Sequence, residues 1–436
     1  MKLIGLSGLS LLIGAIICSQ SLIEFHFGID YDDTPNLVEK INYFKLYTNF
    51  SIGTPAQTVP VYLSFKNYPL YFVDKNNISE PKNYDYKKSS SYEALDTERM
   101  KFYMSDYNHG IKSKETFNIG GNKVSDLKFI LVDNFTEYEE EASHITNGCL
   151  GLRLRYNPYK NDDLTNLQSQ LNEKGILRGY EFYLRYDSDH DGTFYMGEIT
   201  HHLSNNYILP IKPKSRYSIN EWSLSFSQIF YGKNVSHEND YTYFTLKSGF
   251  LKASNSFKEV IMNGFFNQHL AKKVCQKEKF LKKYKTRFYI TCNSDFDIKK
   301  LENVVFFDAL NNYNFTFTYE DLFQKSGDRW LFLIAFSENE KDYWKFGKPF
   351  FKKYHLVFDR QEKLMKLILN PSKLQLVNLS NSFNPLLFAY VILFGFIFNV
   401  ILYILNKKVQ KKNKNVQNNG IFDENYVKYY EELTNF

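Results

Sequence analysis

The sequence predicts a mostly-β, two-lobed chain that ends in one C-terminal transmembrane helix. Three observations carry this expectation. The chain has 436 residues, more than the ~250–300 over which a single core usually grows, which leaves room for two lobes. It holds 34 Tyr and 40 Phe against 21 Gly and 11 Pro, and short alternating runs between turn residues outnumber helical stripes, a β-rich pattern. Pro385 to Leu405 is an apolar run of 21 residues broken mainly by Asn399, long enough to cross ~30 Å of hydrocarbon as a helix.

The elements follow in chain order. Residues 1–20 read as a signal peptide: Lys2 starts it, Leu3 to Cys18 is apolar, and Ser19-Gln20-Ser21 is a polar cleavage neighbourhood. Residues 21–43 are a short N-terminal extension. Alternation marks strands at Phe44 to Ile52 and Trp222 to Phe230. Helical spacing places Leu164, Leu167 and Leu171 on one face between Asp163 and Gly175, with Gly175 able to end the helix. A second helix is expected from Ser256 to Lys273, with Phe257, Val260, Ile261 and Phe265 as its apolar stripe. A linker, 374–384, leads to the span at 385–405 and a tail at 406–436. Lys407, Lys408, Lys411, Lys412 and Lys414 open that tail and place it in the cytoplasm. The topology is type I, with a lumenal or extracellular ectodomain on a membrane of the secretory pathway or cell surface. The formal charge of +6 lies partly in the tail, so it is not read as a nucleic-acid footprint.

Four cysteines fit that compartment. Cys18 leaves with the signal peptide. Cys275 and Cys292 lie 17 apart and can close a small loop in an oxidising lumen. Cys149, beside Gly148, Leu150 and Leu152, reads as a buried, inert thiol. Sequons occur at Asn49, Asn77, Asn134, Asn234, Asn314 and Asn378; the glycosylation candidates are Asn77, Asn134, Asn234 and Asn314.

A set of ordered motifs then points to a family. Tyr47-Thr-Asn-Phe-Ser-Ile-Gly-Thr-Pro-Ala-Gln57 resembles the opening strand pair of the pepsin-like aspartic proteases. Ser89-Ser-Ser-Tyr-Glu93 resembles their Ser-Ser-Thr-Phe/Tyr turn, Tyr103 falls at the flap tyrosine, and Asn147-Gly-Cys-Leu-Gly-Leu152 is similar to Asp-Gly-Ile-Leu-Gly-Leu. Gly175-Ile-Leu and Glu181-Phe-Tyr-Leu continue the series. In the second half, Trp222-Ser-Leu-Ser-Phe-Ser-Gln-Ile resembles a family strand, Phe346-Gly-Lys-Pro-Phe-Phe-Lys-Lys-Tyr-His-Leu-Val-Phe-Asp-Arg360 resembles a family segment without a gap, and Cys275 and Cys292 resemble the second lobe's disulfide. The resemblance covers about residues 44–370. It implies a bilobal pepsin-like fold with pseudo-twofold lobes, here at 44–205 and 206–373.

The family's chemistry needs two carboxylates, one per lobe, sharing a proton, because like charges that close cannot both ionise. The resemblance places Ser64-Phe65-Lys66 at the first Asp-Thr-Gly and Lys247-Ser248-Gly249 at the second, and only Gly249 keeps its type. Both catalytic Asp positions are therefore expected to be empty of acid. Lys348 stands where the family often has Asp. Asp74, a full strand beyond Ser64, and Asp106, on the expected flap, read as surface or turn carboxylates. Family zymogens cover their carboxylates with a basic prosegment, whereas Ser21 to Tyr43 carries Glu24, Asp30, Asp32, Asp33 and Glu39 against Lys40. Ser64 opposite Lys247 could in principle form a serine nucleophile with a lysine base, but no oxyanion hole is legible; the alternative is a Lys247 hydrogen bond that stabilises a dead cleft.

Two further motifs are weighed. Asp187 to Glu198 fits the spacing of a calcium loop, yet strand-like flanks and Asp191-Gly192 favour a hairpin over an EF-hand. Tyr430-Glu-Glu-Leu433 in the tail resembles a sorting-adaptor signal. The expected function is a pseudoprotease ectodomain that holds a peptide or protein in a cleft bearing Ser64, Tyr103 and Lys247. The alternatives are an aspartic-type endopeptidase with non-standard residues and a passive adhesion ectodomain. No cofactor, metal or nucleic acid is expected.

Overall fold

The structure is a computed structural model. It describes residues 22–31, 41, 44–65, 69–75, 82–96, 100–101, 109–134, 147–154, 166–201, 203–214, 222–237, 241–282, 285–337, 343–373, 400, 403–405 and 407–408. Tyr103, Lys66, Asn77, Asp106, Asn378, most of the 385–405 run and Tyr430 to Leu433 lie outside the described residues.

The strand Phe44–Ile52 shows why alternation was informative. Phe44, Leu46, Phe50 and Ile52 are buried while Asn49 faces out, the two-residue period of a half-buried strand. Gly53, at φ 92°, turns the chain into the strand Gln57–Ser64, a conformation that favours glycine. From Val59 onward that second strand is buried on both sides, since it lies inside a large sheet rather than at an edge.

Each half repeats one interleaved motif. In the first, Gln57–Ser64 runs parallel to Gly148–Gly151, with Ser64 opposite Gly151. Gly148–Gly151 pairs antiparallel with Leu70–Val73, which runs parallel to Asn122–Asn134. In the second, Tyr241–Phe244 runs parallel to Lys345–Phe346. That strand pairs antiparallel with Leu251–Ala253, which runs parallel to Ile334–Ser337. Identical pairing senses in identical order give the pseudo-twofold relation that the motifs implied.

The halves share sheet as well as core. Leu356–Asp359 and Leu364–Ile368, late in the chain, join the first sheet because Phe358 pairs with Phe182 of the strand Glu181–Tyr186. Buried Glu181 anchors the junction: it accepts from Ile199 N and Thr200 N at 2.7 Å each and from the Thr200 hydroxyl and the Lys366 ammonium. Lys366 also donates to Asp359 at 2.7 Å. Arg360 donates to the Gly151 carbonyl at 2.8 Å and lies over the Phe182 ring, tying the last strands to the first motif.

The helices fall near their expected places. Leu167–Glu173 starts on an Asn166 cap and ends before Gly175 at φ 67°; Leu164 lies outside the described residues. Asn255–Ile261 is capped by Ser254 and continues through a wider turn, Met262–Phe266, into Asn267–Ala271. Phe257, Ile261 and Phe265 are buried as the stripe requires.

Trp222 to Phe230 departs from the expectation of one strand. Ser223–Ser225 pairs with Tyr241–Phe244, whereas Gln228–Tyr231 pairs with Val304–Asp308 in another sheet. Buried Phe226 is the pivot, and Ser227 N donates to the Phe307 carbonyl at 3.1 Å. Alternation continues across a sheet change, so it does not reveal the break.

Cys275 and Cys292 form a disulfide, and Cys149 is free and buried. Asp187 to Glu198 is a hairpin of Glu181–Tyr186 and Asp191–Gly197. Its turn is at 187–190 rather than at Asp191-Gly192. Gly192 sits in the strand because a Cβ there would lie 2.3 Å from the Phe27 ring. Among the described residues no helix is long and apolar enough to cross a membrane.

Candidate functional site

Two short connections occupy equivalent places in the two motifs. Residues 64–69 lead from Gln57–Ser64 to Leu70–Val73, and residues 245–250 lead from Tyr241–Phe244 to Leu251–Ala253. Backbone hydrogen bonds define the correspondence: Leu152 N donates to the Ser64 carbonyl at 2.8 Å, and Lys348 N donates to the Ser248 carbonyl at 2.8 Å. In this frame Ser248 holds the place of Ser64, and Lys247 precedes it by one residue. The choice does not alter the chemistry on offer. The connections read Ser-Phe-Lys-Asn-Tyr-Pro and Thr-Leu-Lys-Ser-Gly-Phe, without a carboxylate in either.

The local environments differ. Ser64 is buried at the end of its strand. Lys247 is half-buried, and its N–H donates to Thr245 Oγ1 at 3.3 Å. Ser248 is enclosed, accepting from Phe250 N at 3.1 Å and donating to the Phe250 carbonyl at 3.2 Å. A hydroxyl folded back on its own turn in this way is committed to backbone geometry.

Phe65 fills the space between the connections. Its ring stacks on Phe351 at 5.8 Å, lies 5.0 Å from Phe358 and 6.1 Å from Phe244, and reaches Phe182 at 6.2 Å. Phe244 and Phe351 flank the second motif, so the residue after Ser64 is packed into the other half. Gly249 is covered from another side. Its N–H donates to the Ile41 carbonyl at 2.7 Å, and a Cβ on Gly249 would lie 2.5 Å from Ile41 Cγ2. Ile41, from the N-terminal extension, packs with Phe250, Tyr289 and Leu333.

A cavity of about 780 Å³ opens beside this contact, with Ile41, Phe44, Gly249, Asp189 and Lys348 in its wall. Lys348 Nζ donates to the Asp189 carbonyl at 2.6 Å and lies 3.2 Å from its Oδ1; Lys352 reaches the same oxygen at 2.8 Å. Burial pushes the Lys348 ammonium down and opposes ionisation of Asp189, but the bond from Lys352 and the charge of Lys348 prevail and hold that carboxyl at about 2. A lysine at this position thus ties the hairpin turn of the first half to the helix Lys348–Lys353 of the second.

The sequence motifs are bound to one another. Thr54 N donates to Ser89 Oγ at 2.9 Å, Ser90 N to the Thr54 carbonyl at 2.8 Å, and Gln57 Nε2 to the Asp85 carbonyl at 2.9 Å. The Gly-Thr-Pro-Ala-Gln turn and the triple-serine turn are one hydrogen-bonded unit. Trp222 Nε1 donates to the Leu152 carbonyl at 2.8 Å, joining the second half to the Gly-Leu segment of the first.

Asp74 corrects an expectation: it is buried, not a surface carboxylate. It follows the fully buried strand Leu70–Val73, and its N–H donates to the Val132 carbonyl at 2.9 Å. It lies beyond that strand, outside both connections. The roles of Ile41, Glu181 and Arg360 were not read from the sequence. Only the acid–base composition near Glu181, Asp359 and Lys366 could have hinted at a buried network.

Over residues 45–368 the chain matches the sequence model of the eukaryotic aspartyl proteases. The chain belongs to that family. The matched span contains both interleaved motifs, both connections and the disulfide of this aspartyl protease family member. No curated protein matches the chain.

Proposed function

We propose that this chain is a catalytically inactive aspartyl protease homologue, anchored as a type I membrane protein, whose ectodomain binds a peptide or protein ligand. The observation that carries the reading is the absence of Asp and Glu from residues 64–69 and 245–250. Aspartic-type hydrolysis needs one ionised and one protonated carboxyl at that place to activate water and polarise the scissile carbonyl. A serine hydroxyl and a lysine ammonium cannot share a proton in that way at any pH near neutrality. Phe65, packed across the halves, supports the same reading, because it puts an aromatic ring where the family keeps a small residue.

The apolar 385–405 run and the lysines after it support the anchor. Val400, Tyr403, Ile404 and Leu405 are exposed apolar residues beside Lys407 and Lys408. Exposed Asn234 and Asn314 are open to glycan attachment in a lumenal compartment. The signal peptide at 1–20, the flap role of Tyr103, glycans at Asn77 and Asn134 and a sorting adaptor at Tyr430 to Leu433 belong to the same proposal.

The test is incubation of purified full-length protein with denatured protein substrate from pH 3 to 7, with and without a pepstatin-type inhibitor. No inhibitor-sensitive cleavage is expected. Cleavage that the inhibitor abolishes would overturn the inactive reading.

A further inference from the structure

Besides the tail, the second half holds one strongly basic segment. Residues 272–300 hold ten Lys or Arg and three Asp or Glu, a net +7, while the whole chain carries only +6. The segment is built around a hairpin of Cys275–Lys282 and Lys285–Asn293, closed at its base by the Cys275–Cys292 disulfide. The inner strand pairs onward with Arg329–Phe332 and Ile334–Ser337, and the outer strand pairs with nothing else among the described residues. The outer strand thus lies at the edge of its sheet among the described residues.

Five of these cations form no ion pair among the described residues. Lys272, Lys273, Lys277, Lys299 and Lys300 are all exposed, and none has a carboxylate within ion-pair distance among the described residues. Three acids share the segment. Glu278 is already engaged by Arg329 at 2.7 Å, Tyr289 at 2.8 Å and Thr291 at 2.6 Å. Asp297 caps its own turn by accepting from Lys299 N at 3.2 Å, and Asp295 faces solvent. Lys272 and Lys300 come from different elements yet share one neighbour: after burial, their charges are what hold the His269 imidazole below its ordinary pKa. His269 is itself wedged between Phe265 and Phe296, at 5.1 and 4.9 Å.

We propose that this disulfide-closed hairpin and its flanking lysines are a docking surface for a linear sulfated polysaccharide. Five exposed lysines without a carboxylate partner, in a segment of net +7, favour a partner with repeating negative charge. A protein partner fits less well, since interfaces bury aromatic and apolar cores and deplete lysine. The exposed large apolar side chains of the described residues all lie outside 269–300. Acidic lipid is the other polyanion, but anionic headgroups concentrate on the cytoplasmic leaflet, opposite the side proposed for the ectodomain. This step rests on the type I topology; the charge argument does not.

The test uses the full-length protein in detergent and soluble heparin as the probe, titrated over a salt series. One variant reverses Lys272, Lys273, Lys277, Lys299 and Lys300 to Glu. A control reverses five exposed lysines elsewhere, Lys82, Lys123, Lys128, Lys174 and Lys233. Both keep the disulfide and are checked by melting temperature. The expected result is binding that weakens as salt rises, is lost by roughly a hundredfold in the first variant and changes little in the control. Equal losses in the two variants would reduce the effect to net charge and overturn the proposal. Tighter binding to phosphatidylserine vesicles or polyglutamate than to heparin at the same salt would overturn the choice of polysaccharide. Pepstatin-sensitive proteolysis would overturn the inactive reading and leave this surface untouched, so the two failures are separable.

Discussion

Phe65 stacks on Phe351 with ring centroids 5.8 Å apart and an interplanar angle of 18°. One ring leaves the first connection beside Ser64, and the other stands on the helix Lys348–Lys353 of the second half. Around them Phe182, Phe244 and Phe358 complete a cluster that both halves supply. What joins the halves here is chiefly apolar ring contact, with the Arg360 guanidinium over the Phe182 ring, and that determines what a substitution should do.

Phe65→Ala should remove a buried ring whose neighbours come from three separate segments and cannot all collapse inward. The expected cost is about 3–5 kcal/mol, read as a lower denaturation midpoint of the folded chain. Phe65→Leu should recover part of it. A change no larger than a surface substitution would mean that the ring does not bridge the halves.

The scaffold was legible because its signals are local. Alternation in Phe44–Ile52 and glycine at Gly53 and Gly175 each reflect a constraint acting within a few residues, and the Cys275–Cys292 pair one acting within a single hairpin. The resemblance placed the motifs in order, and their mutual hydrogen bonds, such as Thr54 to Ser89, are where that order acquires physical content. The site was less legible because its contacts are long-range. Nothing near Ile41 announces that its carbonyl receives Gly249, about two hundred residues on. Asp74 read as polar surface because residue type was the only cue, and the strand before it buries it. The correspondence of Ser64 with Ser248 by backbone hydrogen bonds, one residue from Lys247, is likewise invisible without the second half in place.

Lys366 is the cation between two nearly buried carboxylates, Glu181 and Asp359. Burial alone would lower its pKa, but its bonds to Asp359 and Glu181 raise it instead. Lys366→Met should leave two like charges facing one another, at about 3–5 kcal/mol. Urea unfolding at pH 7 reads the effect; a deficit no larger than that of a surface substitution would show that the lysine does not hold the pair together.

His355 should make the native chain sensitive to mild acid. Its Nδ1 meets the Tyr183 hydroxyl, and burial, then the Arg185 charge, lowers its pKa below the ordinary histidine value. The groups facing it are that phenol, which can donate to or accept from the ring, and that guanidinium, which repels an imidazolium. With the folded pKa below the unfolded one, the contribution is present above about pH 6.5 and is lost as pH falls through the folded value. His355→Gln should therefore flatten the decline in melting temperature between pH 7.5 and pH 5.5 relative to wild type. An unchanged slope would place the acid sensitivity elsewhere.

Putting the acids back is the most direct probe of how far the site has diverged. Ser64→Asp with Lys247→Asp, and separately Ser64→Asp with Ser248→Asp, tests both correspondences. A shared proton needs the two carboxyls close together, with donors around them and room for a water between them. Here Phe65 occupies the junction beside one position, the Ser248 hydroxyl is folded onto Phe250, and the Ile41 carbonyl takes the Gly249 N–H. A new carboxylate beside Phe65 would adjoin a cluster of four further rings, a setting that opposes its ionisation. Neither double variant is expected to show pepstatin-sensitive cleavage between pH 3 and 7, while the same variants carrying Phe65→Thr could gain a trace. Cleavage by the first double variant would show that Lys247 holds the catalytic register, cleavage by the second that Ser248 does. Either would mean that only two side chains separate this chain from hydrolysis, and that Phe65 is not part of the barrier.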